Sequence, residues 1–120
     1  MSDSRRYTWY RQRKKRGFDD RELWSLDHTI AKFVLPRLLI FKEKKIGYPA
    51  DLTVEKWDSI LDQIIYSMEA IIDEWDGKYD YLPSTKIASP SFAIRTIQIQ
   101  EKKINQGLNL FAKYFRNLWW

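Results

Sequence analysis

Residues 54–75, VEKWDSILDQIIYSMEAIIDEW, carry the strongest structural pattern in the chain. Apolar side chains recur there every three or four residues, which is typical of an α-helix with one apolar face. They are Trp57, Ile60, Leu61, Ile64, Ile65, Met68, Ile71, Ile72 and Trp75. Because adjacent pairs such as Ile60 and Leu61 both belong to this face, it is broader than a coiled-coil seam. We therefore predict a helix here, capped by Thr53, that lies at the centre of the core and is covered on more than one side.

A second helix is predicted before this one, over about residues 20–45. The acidic pair Asp19–Asp20 suits its N-terminal end, and Gly47 stops it. Pro36 lies inside the pattern and removes one backbone donor, so we expect a kink or break near residues 31–35. Its apolar positions recur at helical spacing: Leu23, Ile30, Phe33, Val34, Leu38 and Phe41.

A third helix is predicted from Ser89-Pro90 to the end of the chain, because a capping residue followed by proline is a helix-start signal. Gly107 lies beside its apolar seam and would permit a close approach to an opposite helix, from the same or another subunit. Such a seam often packs on a partner helix. The seam consists of Ile94, Ile97, Glu101, Ile104, Leu108, Phe111, Phe115 and Leu118.

At 120 residues the chain has the size of one domain. The predicted fold is all-α, with three long helices, the first kinked at Pro36. A basic aromatic arm, residues 1–17, precedes a single helical domain, residues 18–120. Residues 47–51 form a turn, and residues 78–88 form a loop long enough to be functional. Six Trp, seven Tyr and six Phe favour self-association, so we expect a homo-oligomer, a dimer or a larger assembly such as a tetramer.

The positive charge is concentrated at the N-terminus. Residues 1–21 hold eight of the 21 Lys and Arg residues, whereas residues 22–120 hold as many acidic as basic ones. Arginines interleave there with Tyr7, Trp9 and Tyr10, which combines phosphate-binding groups with rings that can stack on a base. The pattern suits an anionic, base-bearing ligand. The alternative is a solvated or disordered arm that only keeps the protein soluble.

Several classes of function lack their minimum residues in this sequence. The chain has no cysteine and one histidine, His28, which excludes thiol chemistry and multi-histidine metal sites. No phosphate-loop, dinucleotide-fold, hydrolase-elbow or zinc-protease motif occurs. Asp58 and Asp62 share a helix face and could in principle hold a divalent ion. Acidic residues opposite an apolar face are, however, usually solvated. We therefore expect no enzyme, no cofactor and no metal, and no membrane segment, since no apolar run reaches the ~18 residues of a span.

Three residues outside the arm are further candidates for ligand binding. Lys32 and Arg37 lie near the Pro36 irregularity, where a bent helix could shape a concave site. The alternative is that both side chains extend from the edge of the core into solvent. Tyr48, beside Pro49, could form a flat wall for a base or simply a packed turn.

Several segments, taken in order, carry a family resemblance that covers roughly residues 17–119 apart from the loop. They are FDDR at 18–21, WSLD at 24–27, IAKFVLPRL at 30–38, GYP at 47–49, WDSILD at 57–62 and GLNLFAKYF at 107–115. The chain resembles a widespread family of small helical bacteriophage proteins. It is similar to the phage nucleotide-sponge proteins of the anti-CBASS type, which sequester cyclic-dinucleotide signals of bacterial anti-phage defence.

The resemblance implies a homo-oligomeric sponge in the host cytoplasm that binds cyclic dinucleotides such as 3'3'-cGAMP without cleaving them. A two-fold ligand of this kind suits a pocket built by equivalent residues of two subunits. Two other functions stay open: a small nucleic-acid-binding phage protein, and an inhibitor that binds a host protein through exposed aromatics. The residues expected to contact the ligand are Arg5, Arg6, Tyr7, Trp9, Arg11, Arg13, Lys32, Arg37 and Tyr48.

Overall fold

The computed structural model of the chain describes residues 2–75 and 90–119. Within those ranges there are helices and turns but no strand, so the all-α prediction is confirmed. The elements are α1 (Ser2–Arg16), α2 (Arg21–Trp24), α3 (Leu26–Lys44), α4 (Val54–Trp75), α5 (Pro90–Tyr114) and a 3-10 turn at Phe115–Asn117.

Helix α4 is the central element, as its pattern predicts. It packs against α3 on one side and α5 on the other. Thr53 caps it, because its Oγ1 accepts a hydrogen bond of 3.2 Å from the backbone N–H of Lys56. Leu61 and Ile64 are fully buried on this helix, and burial of an aliphatic side chain of this size contributes about 1.5–3 kcal/mol.

The predicted third helix begins at Pro90 as expected, but the prediction that it reaches the chain end is wrong. The α-helix stops at Tyr114 and continues as a single 3-10 turn. Tyr114 packs edge-on against Trp57 of α4, with ring centroids 5.6 Å apart. The helix opposite Gly107 is α4 of the same chain. This part of the apolar seam of α5 therefore packs within the subunit.

The helix predicted over about residues 20–45 is divided, but the division is not at Pro36. Ser25 has φ −136° and ψ 75°, which separates the short α2 from α3. Helix α3 then continues through Pro36, so the expected break at residues 31–35 is absent, and the kink stays a prediction. Two ion pairs join the end of α3 to α4: Lys42 Nζ to Asp62 Oδ1 and Lys45 Nζ to Asp58 Oδ1, each at 2.6 Å.

The N-terminal arm is itself a helix, so the described chain has four long helices rather than the three predicted. Helix α1 has no apolar period, which is the signal that would have indicated it. Arginine, lysine and glutamine nevertheless favour helices, because their straight side chains lose little freedom there. Gly17, with φ +88°, ends the helix in a conformation that residues with a Cβ rarely adopt.

The connection between α3 and α4 is the turn expected at residues 47–51. The backbone N–H of Leu52 donates a 3.0 Å hydrogen bond to the Pro49 carbonyl. The loop predicted at residues 78–88 lies outside the described residues. Among the helices that are described, none is both long and apolar enough to cross a membrane.

Candidate anion-binding surface

A buried carboxylate organises the junction between α1 and α2. Asp19 is 2% exposed and accepts hydrogen bonds from Arg13 Nη1 at 2.6 Å and from Arg21 Nη2 at 3.0 Å. The backbone N–H of Arg21 also donates to it, at 2.9 Å. These bonds, those from Arg21 first, hold the pKa of the Asp19 carboxyl well below its usual range. Two guanidinium groups from different elements are thereby held side by side.

Asp20 makes a second set of contacts at the same junction. Gln12 Nε2 donates to its Oδ2 at 2.9 Å, and Arg16 Nη2 donates to its Oδ1 at 2.8 Å. The hydrogen bond from Gln12, and after it the one from Arg16, lowers the pKa of the Asp20 carboxyl. The backbone N–H of Asp20 donates in return to Gln12 Oε1 at 2.9 Å. The acidic pair therefore binds α1. The sequence suggests only that these two residues mark the start of a helix.

Trp9, one of the expected ligand contacts, lies half-buried at this junction. The guanidinium of Arg21 lies over its ring, 4.3 Å from the centroid. Trp24 of α2 packs against it edge-on, with ring centroids 6.1 Å apart. The indole thus joins α1 to α2 and has one face occupied by Arg21.

An open cleft of about 640 Å³ lies where α1, α2 and the start of α3 meet. Two of the expected contact residues, Arg13 and Lys32, line it together. Phe33, which is 59% exposed, provides an aromatic wall. The described residues that line it are Arg13, Asp19, Arg21, Glu22, His28, Thr29, Lys32 and Phe33. With three strong cations against two carboxylates, the cleft is weakly positive and can receive a phosphate.

The outer side of α1 carries a second, shallower depression of about 490 Å³. Among the described residues its lining contains four cations and no carboxylate: Thr8, Tyr10, Arg11, Gln12, Lys14, Lys15 and Arg16. Tyr7 is 63% exposed, and the Arg11 guanidinium lies 5.8 Å from its ring centroid. Arg5 and Arg6 are exposed on the preceding turn. This side of the helix presents charge along its length and does not enclose a ligand.

Tyr48 lies away from both sites, and Arg37 reaches the first one only through the Phe33 ring. The Arg37 guanidinium donates to the Phe33 carbonyl at 2.9 Å and lies 3.7 Å from the centroid of the Phe33 ring. It lines a separate cleft with Ile40, Phe41 and Trp119. Tyr48 lines another, of about 270 Å³, that also includes Trp57 and Trp119.

The structure therefore brings together some of the nine expected contact residues and separates others. Arg13 and Lys32 share the cleft, and Arg5, Arg6, Tyr7 and Arg11 follow one another along α1. Sequence reasoning missed Arg21 and Phe33, which line the same cleft. The position of Arg21 directly after the acidic pair was a usable signal, since a carboxylate in a tight turn commonly binds a nearby guanidinium.

Asp58 and Asp62 are each engaged by a lysine of the α3–α4 contact. Comparison with known proteins adds no further indication of function. No protein-family model matches the sequence, and no curated protein or solved structure matches it either. What the protein binds must therefore be inferred from its own residues.

Proposed function

We propose that the protein is a sponge for cyclic dinucleotides: it binds the signal without cleaving it and so lowers its free concentration. The observation that carries the proposal is the cleft that Arg13, Arg21 and Lys32 line together with the Phe33 ring, over which the Arg37 guanidinium also lies. Guanidinium and ammonium groups bind phosphate oxygens, and an aromatic ring can stack on a base. A ligand with both phosphates and bases uses all of these groups.

The three cations of the cleft differ in how free they are to bind. Arg13 and Arg21 both donate to Asp19, which fixes their positions and offsets part of their charge. Lys32 is exposed, and its ammonium makes no hydrogen bond or ion pair with any other described residue. Lys32 is therefore the group whose charge a ligand phosphate would neutralise, while the two arginines provide an already oriented pair of donors.

The narrower terms of the proposal come from the family resemblance rather than from the cleft. Similarity to phage nucleotide sponges favours cyclic dinucleotides over other phosphate-bearing ligands. It also favours action in the cytoplasm of a bacterial host, against a defence that signals with such molecules. Sequestration requires tight binding and an abundant protein, because the bound fraction depends on protein concentration relative to Kd.

Equilibrium binding to a panel of cyclic dinucleotides tests the proposal, with mass spectrometry of the ligand released by heat. We expect one ligand to be recovered unchanged, and Lys32→Ala to weaken its binding about tenfold or more, as loss of a hydrogen bond to a charged group does. Lys56→Ala is the matched control, because Lys56 is an exposed lysine in the first turn of α4. Failure of the wild-type protein to bind any of the panel would refute the proposal, and recovery of a cleaved product would indicate an enzyme.

Nucleic-acid binding is a second candidate, favoured by the distribution of charge on α1. Its outer depression contains Arg11, Lys14 and Lys15 without a neighbouring carboxylate, which suits a row of phosphates better than one small molecule. Binding of this kind weakens steeply as salt is added, roughly in proportion to the number of phosphates neutralised. A triple variant that replaces these three residues with Gln should lower the slope of that salt dependence by about three phosphate contacts, while leaving cyclic-dinucleotide binding in the cleft intact.

A further inference from the structure

Helix α3 has two apolar faces, and the described residues cover only one of them. The first face packs against α4 and includes the buried residues Ala31 and Leu38. The second, which we name the outer face of α3, consists of Leu26, Ile30, Phe33, Arg37 and Ile40. Its four apolar side chains are 47–59% exposed. Successive members are three or four residues apart, which is the spacing of a helix-pairing seam.

The shape of the described chain leaves this face open. Helices α3 and α5 lie on opposite sides of α4, and the molecule extends 52 × 47 × 20 Å. Its radius of gyration is 18.3 Å, whereas a compact domain of this length has about 14 Å. A flat, extended subunit with an uncovered seam buries less apolar surface than its length allows.

We propose that a second copy of this chain covers the outer face of α3, with the two α3 helices antiparallel about a two-fold axis. A two-fold interface uses the same surface of both subunits, and a single self-complementary seam meets that requirement. The inference concerns the ligand-free protein, but the outer face shares Phe33 with the proposed cleft, so pairing of two copies would cover part of that ring.

The charges at the ends of α3 favour the antiparallel arrangement. Asp27 lies in the first turn and Lys44 in the last turn, and both are exposed. Neither forms an ion pair with another described residue. Antiparallel pairing brings Asp27 beside Lys44 of the second copy, and the two-fold axis repeats the contact at the other end. A parallel pair would instead place like charges together.

The one charged member of the outer face, Arg37, already has partners for its guanidinium within its own helix. Arg37 donates a hydrogen bond to the Phe33 carbonyl and stacks on the Phe33 ring. Its guanidinium is thus partly satisfied within its own helix, which reduces the cost of removing it from water. In the register that pairs Asp27 with Lys44, Phe33 of one copy lies near Arg37 of the other, so each guanidinium also faces a ring of the second copy.

The exposed apolar area approaches that of a specific dimer interface. Leu23 and Trp24 of α2, 48% and 67% exposed, directly precede the outer face in the chain. Trp119, 75% exposed, extends it beside Ile40. The outer face and Trp119 expose apolar surface on the order of 500 Å², compared with the roughly 800 Å² that each partner of a standard interface contributes.

Sedimentation velocity of the ligand-free protein, over a hundredfold range of concentration, tests the proposal. We expect a dimer that Ile30→Glu converts to a monomer with an unchanged helical circular-dichroism spectrum. Ile99→Glu is the matched control, since Ile99 is an isoleucine of α5 that is 51% exposed on the far side of α4. The proposal is overturned if the wild-type protein is monomeric throughout, if Ile30→Glu stays dimeric, or if Ile99→Glu dissociates as readily.

A charge-reversal cycle tests the orientation and offers variants that leave the apolar seam intact. Asp27→Lys and Lys44→Asp should each weaken the dimer about fivefold to tenfold, because each replaces two attractive contacts with repulsive ones. The double variant should recover most of the wild-type affinity. If it dissociates at least as readily as the single variants, the antiparallel register is wrong.

Discussion

Ser67 of α4 occupies the space that Gly107 of α5 leaves by having no side chain. The Ser67 hydroxyl is completely buried and donates a 2.7 Å hydrogen bond to the Ile104 carbonyl, one turn before the glycine. A Cβ at position 107 would overlap both the Ser67 Oγ and the backbone carbonyl oxygen of Gln63. The close approach of the two helices therefore depends on this pair.

Gly107→Ala should lower the free energy of unfolding by about 2–4 kcal/mol, the range expected when a buried site is overpacked against backbone. The higher helix propensity of alanine offsets only about 1 kcal/mol of this loss. Urea denaturation followed by circular dichroism measures the change. Gly47→Ala is the control, because a Cβ at Gly47 meets no atom within 4 Å. Equal stability of the two variants would contradict the close approach.

The Asp19 carboxylate should make stability depend on pH in the acidic range. Its folded-state pKa lies below that of the unfolded chain, so its contribution is fully present above about pH 4. It is lost as pH falls further, because the carboxyl must then be protonated. Asp19→Asn should therefore melt at a lower temperature than wild type near neutral pH, and the difference should narrow below about pH 4.

Thermal melts at a series of pH values measure that difference. Asp51→Asn provides the control, since Asp51 is exposed and forms no ion pair with any other residue in the described ranges. Its melting temperature should follow that of wild type throughout. A constant gap between Asp19→Asn and wild type at every pH would show that the carboxylate acts only by its shape.

The helical elements of this chain differ in how well the sequence predicts them. The period of α4 and the Ser89-Pro90 signal of α5 are local, so the start of each helix could be placed correctly. Helix α1 has no apolar period, because its contacts with the rest of the chain are side-chain bonds to Asp19 and Asp20 and the packing of a single aromatic, Trp9. Asp19 and Arg13 are six residues apart in the sequence, and their contact depends on the turn at Gly17. The spacing of apolar residues along the sequence does not indicate side-chain hydrogen bonds that form across a turn.

The candidate site was partly predictable for the same reason. The cations and aromatics of the arm are visible in the composition, and their chemistry follows from residue type. Which of them meet depends on the direction in which α1 folds back. That direction brings Arg13 to Lys32, while Arg37 reaches only the Phe33 ring and Tyr48 lies in another cleft. Residue type thus indicates the class of ligand, whereas the tertiary contacts determine which residues can bind it together.

The two lysines that join α3 to α4 should contribute unequally. The side chain of Lys45 is 11% exposed, and that of Lys42 is 33% exposed. Screening by water reduces the value of the more open pair. We expect Lys45→Ala to lower the free energy of unfolding by about 1 kcal/mol and Lys42→Ala by about half as much or less. Urea denaturation compares them, and a larger loss in Lys42→Ala would contradict this ranking.

Trp9 should control how firmly α1 is held to the rest of the protein. Its ring contacts Arg21 and Trp24, whereas α1 has few other contacts with the helices that follow. Trp9→Ala should therefore increase the rate of tryptic cleavage within α1 about tenfold, because aromatic and cation–π contacts of this kind contribute about 1–2 kcal/mol. The urea midpoint of the α3–α5 helices should change little, since local opening and global unfolding are separate events.

The matched control for this prediction is Tyr10→Ala, which removes a neighbouring aromatic that is 49% exposed and lies 5.5 Å from Lys14 of the same helix. Both variants keep every lysine and arginine of α1, so the protease meets the same cleavage sites. Cleavage of Tyr10→Ala should proceed at close to the wild-type rate, because its ring does not contact α2. Equal acceleration in the two variants would mean that α1 is held by its ion pairs with Asp19 and Asp20 alone. In that case the Trp9 ring would be free to contact a ligand, as the sequence predicts.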